Sequence, residues 1–124
     1  MTAWTLDDIH WDAVQPDCVS PELLSVVKAA SLVEHNAADY VSYLKNVLDR
    51  DPALSDLIDG WGAEEERHGQ ALGRWAERAD PNFDFDAAFA AFRANEIVPQ
   101  DASQSVRGSR AGEMLARCIV ETGT

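Results

Sequence analysis

Apolar side chains recur in steps of four and three residues along two long stretches of the chain. The first stripe runs from Leu23 to Leu48 and the second from Leu54 to Trp75. Steps of four and three place side chains on one face of an α-helix, where they pack against the neighbouring helices of a bundle. The pattern therefore predicts two long helices that each bury one face.

A helix start precedes each stripe. Ser20-Pro21 and Asp51-Pro52 each combine a capping side chain with a proline at the first helical position, which is typical of a helix N-terminus. The connection between the two stripes is so short that we expect an antiparallel helical hairpin.

The predicted elements together form an all-α fold in a single domain spanning residues 1–124. They are an N-terminal arm or short first helix (residues 1–20), two long helices (21–49 and 52–79), a short helix (84–95) and a last helix (105–124).

Ionisable residues interrupt both apolar stripes. Glu34 lies on the first stripe, and Glu65 and His68 lie on the second, three residues apart. A charge on a buried face is costly unless it is paired or binds a metal ion. The pattern thus predicts a metal site, and the alternatives are a salt-bridged helix and an internal pairing of Glu34 with an arginine or histidine.

The spacing from the turn places the three residues at one level. Glu34 precedes Asp51 by 17 residues, and His68 follows Asp51 by 17 residues. Because the helices of an antiparallel hairpin face each other at equal distances from the turn, Glu34, Glu65 and His68 are predicted to converge.

Two glutamates of the last helix compete for the role of a further ligand. Glu113 is spaced for surface ion pairs with Arg110 and Arg117, whereas Glu121 shares a face with apolar residues such as Met114. This logic predicts that Glu121 is the ligand and that Glu113 is solvated.

The charge of the chain excludes several classes of partner. The formal net charge is −12 over 124 residues, which would repel nucleic acids and anionic membranes. No membrane-spanning segment and no signal peptide are visible, so we expect a cytoplasmic setting. The two cysteines do not form a disulfide framework.

The segment Trp61 to Gly69 resembles a known metal-binding motif. It contains Ala63-Glu64-Glu65-Glu66-Arg67-His68-Gly69, similar to the Ala-Glu-Glu-x-Arg-His-Gly signature of soluble acyl-carrier-protein desaturases. Residues 34–44 and 120–122 resemble two further ligand helices of that family. The broader resemblance is to the ferritin-like di-iron carboxylate proteins.

The resemblance implies a ferritin-like antiparallel helical bundle and a di-iron centre. Glu34 and His68 would hold one iron, Glu65 would bridge, and Glu121 would hold the second iron. The fourth helix of the family, which carries the other bridging glutamate and the second histidine, is missing from this chain. The domain is therefore expected to be incomplete, and either a homodimer or a missing C-terminal segment would complete it.

The expected function is that of an iron-dependent oxidoreductase, of desaturase or oxygenase type, that activates dioxygen at a carboxylate–histidine centre. The metal would be iron or manganese, the substrate an apolar small molecule or acyl group, and an electron donor would take part. The alternatives are a ferroxidase or iron-handling protein, and a metal-free helical interaction module.

Overall fold

A computed structural model describes residues 4–48 and 51–123 of the chain. Those residues form helices, turns and loops and contain no strand, which confirms the all-α class. The five α-helices are α1 (Pro21–His35), α2 (Ala37–Leu48), α3 (Pro52–Ala79), α4 (Phe85–Asn95) and α5 (Arg110–Gly123). No helix among the described residues is long and apolar enough to cross a membrane.

Local hydrogen bonds explain where the helices begin. The side chain of Ser20 accepts from the backbone N–H of Leu23 at the start of α1, and Asp51 accepts from the N–H of Ala53 at the start of α3. Asp84 and Ser109 play the same part for α4 and α5. Each side chain satisfies a backbone donor that the first helical turn leaves unpaired.

The predicted helix over 21–49 is divided in the structure. Asn36 separates α1 from α2 with φ −80° and ψ 13°, outside the helical range of ψ near −42°. Asn36 is buried at 2% exposure, so tertiary packing holds this residue at the break. The predicted end of this helix at Asp49 lies outside the described residues.

The other predicted boundaries differ by less. The helix predicted over 52–79 is α3, with the same bounds, and the helix predicted over 84–95 begins one residue later. The last helix begins at Arg110 rather than at residue 105, and its predicted end at Thr124 lies outside the described residues. The predicted arm over residues 1–20 contains three short 3-10 turns, Leu6–Asp8, Trp11–Ala13 and Pro16–Cys18.

Contacts divide the chain into two compact units, so the expectation of one domain stays a prediction. The first unit contains residues 1–38 and 62–97, and the second contains residues 39–61 and 98–124. The core of the second unit is apolar and consists of Tyr43, Leu44, Val47, Leu48 and Ile58.

In the first unit, α1 runs antiparallel to the C-terminal part of α3. Lys28 near the start of α1 forms an ion pair with Asp80, just beyond the end of α3. His35 at the end of α1 lies against Glu66, with 3.4 Å between the ring Nδ1 and the carbonyl oxygen of Glu66. A Cβ atom at Gly69 would overlap the backbone of His35, so this glycine permits the close approach of the two helices.

Aromatic side chains of α4 complete the first unit. The His35 ring contacts Phe85 and Phe89 edge-on, with ring centroids 5.2 Å and 4.5 Å apart. Gly73 of α3 lies against the ring of Phe85, which is buried at 8% exposure. This packing fixes the end of α1, directly beside Glu34.

Candidate metal site

Two helices of the first unit bring Glu34, Glu65 and His68 together. Glu34 is in the last turn of α1, while Glu65 and His68 lie three residues apart on α3 and therefore project from nearly the same side. One ligand atom of each lies within 4.8 Å of the corresponding atoms of the other two. Among the described residues, this is the only group of three or more His, Cys, Asp or Glu side chains with such geometry.

The distances within the cluster suit a shared cation better than direct hydrogen bonds. His68 Nδ1 is 3.7 Å from Glu34 Oε2 and 3.7 Å from Glu65 Oε1. These separations exceed a normal hydrogen bond. Two donor atoms that share one ion at about 2.1 Å each are up to about 4.2 Å apart, so the observed spacing fits a common ion.

The cluster is partly open to solvent. The side chains of Glu65, Glu34 and His68 are 16%, 30% and 41% exposed. Two carboxylates and one imidazole supply oxygen and nitrogen donors that suit a divalent cation.

A third carboxylate faces the outer nitrogen of the imidazole. His68 Nε2 is 4.0 Å from Glu64 Oε2, and Arg67 Nη1 donates to Glu64 Oε1 at 3.2 Å. Glu64 therefore lies on the Nε2 side of the ring, opposite Glu34 and Glu65, at a distance beyond a hydrogen bond. Such supporting carboxylates are common behind metal-binding histidines.

An aromatic ring from the N-terminal segment stacks on the imidazole, which stays partly exposed. The Trp4 and His68 rings are parallel within 5°, with centroids 5.8 Å apart. The guanidinium carbon of Arg67 lies 5.5 Å from the centroid of the Trp4 ring. The contact of Trp4 with His68 could not be predicted from the sequence, because the two residues are too far apart along the chain for any local pattern to indicate it.

No protein-family model, no curated protein and no solved structure matches this chain. The resemblance to ferritin-like proteins and desaturases therefore rests on residues 34–44, 61–69 and 120–122 and stays a prediction.

The predicted burial of the two glutamates of α5 is reversed in the structure. Glu113 is buried at 3% exposure, and its Oε2 accepts hydrogen bonds from Tyr43 and Ser105 at 2.7 Å and 2.6 Å. Glu121 is exposed and lies in the second unit, so its role as a ligand of a second iron stays a prediction.

The arginines that were expected to pair with Glu113 have other partners. Arg110 donates to the carbonyl oxygen of Leu48 at 3.3 Å, and the guanidinium carbon of Arg117 lies 5.2 Å from the centroid of the Tyr40 ring. Glu113 is consequently bound by hydroxyl groups instead of being solvated.

Glu121 lines an apolar cavity in the second unit. The cavity has a volume of about 390 Å³ and is bounded mainly by residues of α2, the start of α3 and α5. Its apolar lining residues are Leu44, Leu48, Leu54, Leu57, Ile58, Trp61, Met114 and Cys118.

Proposed function

We propose that this chain is a metal-binding helical protein of ferritin-like type in which Glu34, Glu65 and His68 hold a divalent iron or manganese ion. The observation that carries the proposal is the convergence of three donor atoms, from two helices, within 4.8 Å. Carboxylate oxygen and imidazole nitrogen are donors that suit these two metals.

Each residue has a distinct part in holding the ion. Glu65 is the least exposed of the three and is therefore the most firmly placed donor. His68 would supply Nδ1 as its donor atom, because this nitrogen faces both carboxylates. Glu34 reaches the site from the other helix, which makes ion binding sensitive to the packing of α1 on α3.

We propose further that the chain acts as an oxidoreductase with dioxygen as the oxidant and an apolar molecule or acyl group as the substrate. A bound iron ion would supply redox and Lewis-acid chemistry. The protein residues would fix the ion, and Glu64 would keep the His68 ring in the binding orientation. This activity and its electron donor follow from the resemblance of residues 61–69.

The exposure of the cluster favours iron handling as a second candidate function. The His68 and Glu34 side chains are 41% and 30% exposed, so an ion held there would exchange readily with solvent. A ferroxidase oxidises successive Fe(II) ions and needs no organic substrate.

A titration of metal-free protein under anaerobic conditions tests the metal site. Fe(II) or Mn(II) is added to the wild type and to the variants Glu65→Gln and His68→Ala, and affinity and stoichiometry are measured by calorimetry. We expect the variants to lose more affinity than the roughly 10–100-fold caused by loss of a supporting residue.

The matched control is Glu66→Gln. It removes the same charge from the next position of α3, where the residue is exposed, so it corrects for the general attraction of cations to an acidic protein. Glu64→Gln is expected to be intermediate, with a loss of about 10-fold. Equal affinity in the wild type and Glu65→Gln would overturn the proposal and leave the metal-free interaction module.

Exposure of the Fe(II)-loaded protein to dioxygen separates the two activities. Oxidation of many equivalents of Fe(II) without an added substrate supports iron handling. Oxidation of the bound Fe(II) alone supports an enzyme that needs an organic substrate for turnover. The variant Glu121→Gln tests the second iron, since it would reduce a stoichiometry of two ions to one.

A further inference from the structure

The N-terminal segment (residues 4–18) contacts three arginines along one face of α3. Arg67, Arg74 and Arg78 are spaced by seven and four residues, which places them on a single stripe of the helix. Each of them meets a residue of the segment, and the partners are Trp4, Trp11 and Asp12 respectively.

These contacts are specific in geometry. The Arg74 guanidinium lies 4.6 Å from the centroid of the Trp11 ring, and Arg78 Nη1 is 3.4 Å from Asp12 Oδ1. Such cation–π contacts and exposed ion pairs are individually weak. Together they hold the segment along α3, and the buried side chain of Trp11 anchors its middle.

Contacts among four side chains link the segment to the group of Glu34, Glu65 and His68. Trp4 stacks on His68, and the guanidinium group of Arg67 lies near the Trp4 ring. Arg67 also donates a hydrogen bond to Glu64, whose other carboxylate oxygen lies 4.0 Å from His68 Nε2. Movement of Trp4 therefore changes both the cover over the imidazole and the charge environment of its outer nitrogen.

The closed position of the segment depends on a single buried side chain and on half-buried contacts. Its three 3-10 turns contain three residues each, and Trp11 is the only buried residue among them. Regions with few buried apolar contacts open locally at a lower free energy than the core. Two hydrogen bonds between Thr5 and Asp8 fix the shape of the first turn, next to Trp4. The backbone N–H and the hydroxyl group of Thr5 both donate to Asp8 Oδ2, at 2.7 Å and 3.0 Å.

We propose that the N-terminal segment is a movable cover that regulates ion entry and exit at the site of Glu34, Glu65 and His68. When the segment is closed, Trp4 holds the His68 imidazole in its binding orientation and slows ion release. When it opens, the exposure of the His68 side chain to incoming ions rises above the 41% of the closed form. This inference rests on the proposed metal-binding function, and Trp4 is a positioning residue because it touches His68 and not the ion.

The cover can be tested in metal-free protein by chemical modification. The chain has three histidines, and diethyl pyrocarbonate modifies each at a rate that depends on its access to solvent. In Trp4→Ala the rate at His68 is expected to rise about three- to ten-fold, the range that one aromatic pair contributes to an equilibrium. The rates at His10, which is exposed, and at His35, which contacts Phe85 and Phe89, should not change.

Two further variants separate a cover from general unfolding. Trp4→Phe keeps an aromatic ring over the imidazole and should restore a rate near that of the wild type. Arg67→Gln removes the cation near Trp4 without touching the ring and should give a smaller rise at His68. If His35 is also modified faster in Trp4→Ala, that variant has lost its fold. The modification rate of His68 in Arg67→Gln then tests the cover.

Ion release gives the second readout. Mn(II) bound to the wild type and the variants is captured by excess chelator in a stopped-flow instrument, and Trp4→Ala should release it about three- to ten-fold faster. If the modification rate of His68 is unchanged in both Trp4→Ala and Arg67→Gln, the segment is not a cover, and the proposed metal site is unaffected by that result. If His68 is modified faster in Trp4→Ala but the wild type binds no ion, the proposed metal-binding function is wrong. The contact between the segment and His68 is then still supported.

Discussion

The Tyr43 hydroxyl donates a hydrogen bond to Glu113 Oε2 at 2.7 Å, 70 residues away in the sequence. The same hydroxyl oxygen accepts from the backbone N–H of Val106 at 2.9 Å, and Ser105 donates to the same carboxylate oxygen at 2.6 Å. This network connects α2, the loop before α5 and α5 within the second unit. It uses a buried carboxylate that the proposed metal site does not involve.

Replacement of Tyr43 by phenylalanine should destabilise the protein. The variant removes a donor from a buried carboxylate, and a hydrogen bond to a charged group contributes about 1.5–3 kcal/mol to the free energy of unfolding. Urea denaturation measures the loss. Tyr40→Phe makes the same chemical change at a tyrosine whose ring carries the contact with Arg117, and it should shift the free energy by less than about 0.5 kcal/mol. Equal effects of the two variants would show that the Tyr43 hydrogen bond is not stabilising.

Alanine substitutions at two glycines of α3 should have opposite effects. A Cβ atom at Gly69 would overlap the backbone of His35, so Gly69→Ala must push α1 away from α3 at a cost of about 1–3 kcal/mol. Gly60 has nothing within 4 Å of its added Cβ, so Gly60→Ala should stabilise the helix by about 0.5–1 kcal/mol. Thermal melts followed by circular dichroism compare them, and a stabilising Gly69→Ala would contradict the close approach. Gly69→Ala should also weaken ion binding, because Glu34 adjoins His35.

The ion pair between Lys28 and Asp80 should make stability depend on pH in the acid range. The hydrogen bond from Lys28, helped by the backbone N–H of Asn82, holds the pKa of Asp80 below its ordinary value of 3.8. A lowered folded-state pKa means that the stabilisation is complete above 3.8 and is lost as the pH falls through the folded-state value.

The variant Asp80→Asn checks this pH dependence. Its stability deficit relative to the wild type should be present at about pH 6 and should shrink as the pH falls below about 4. Asp56→Asn, at an exposed position of α3, is the control. A deficit of Asp80→Asn that stays constant over this range would contradict the assignment.

Self-association is expected through the exposed face of α5. Leu115 and Ile119 are each 63% exposed, and contiguous apolar patches of this kind mark interfaces. Sedimentation should detect a dimer that Leu115→Glu combined with Ile119→Glu dissociates, whereas Ile97→Glu, at an 88% exposed position outside α5, should leave it intact. A stable wild-type monomer of 13.6 kDa would contradict this prediction.

Much of the candidate site was predictable because it depends on local periodicity and on distance from one turn. Glu65 and His68 share a helix face by their spacing alone, and the equal distances of Glu34 and His68 from Asp51 place them at one level of a hairpin. The close approach of α1 to α3 at Gly69 is a feature of the structure. Glu64 meets His68 by the four-residue spacing of one helix, whereas Trp4 reaches the site through a contact that no local pattern reports.

The helical class, the starts of α1 and α3, and the meeting of Glu34 with Glu65 and His68 could be read from the sequence. These features arise from capping side chains, proline positions and apolar periodicity, all of which act over a few residues. The break at Asn36, the burial of Glu113 in place of Glu121, and the stacking of Trp4 on His68 depend on long-range packing. In each of these cases the outcome depends on which distant groups supply hydrogen bonds or packing surface, and sequence spacing contains no record of such long-range partners.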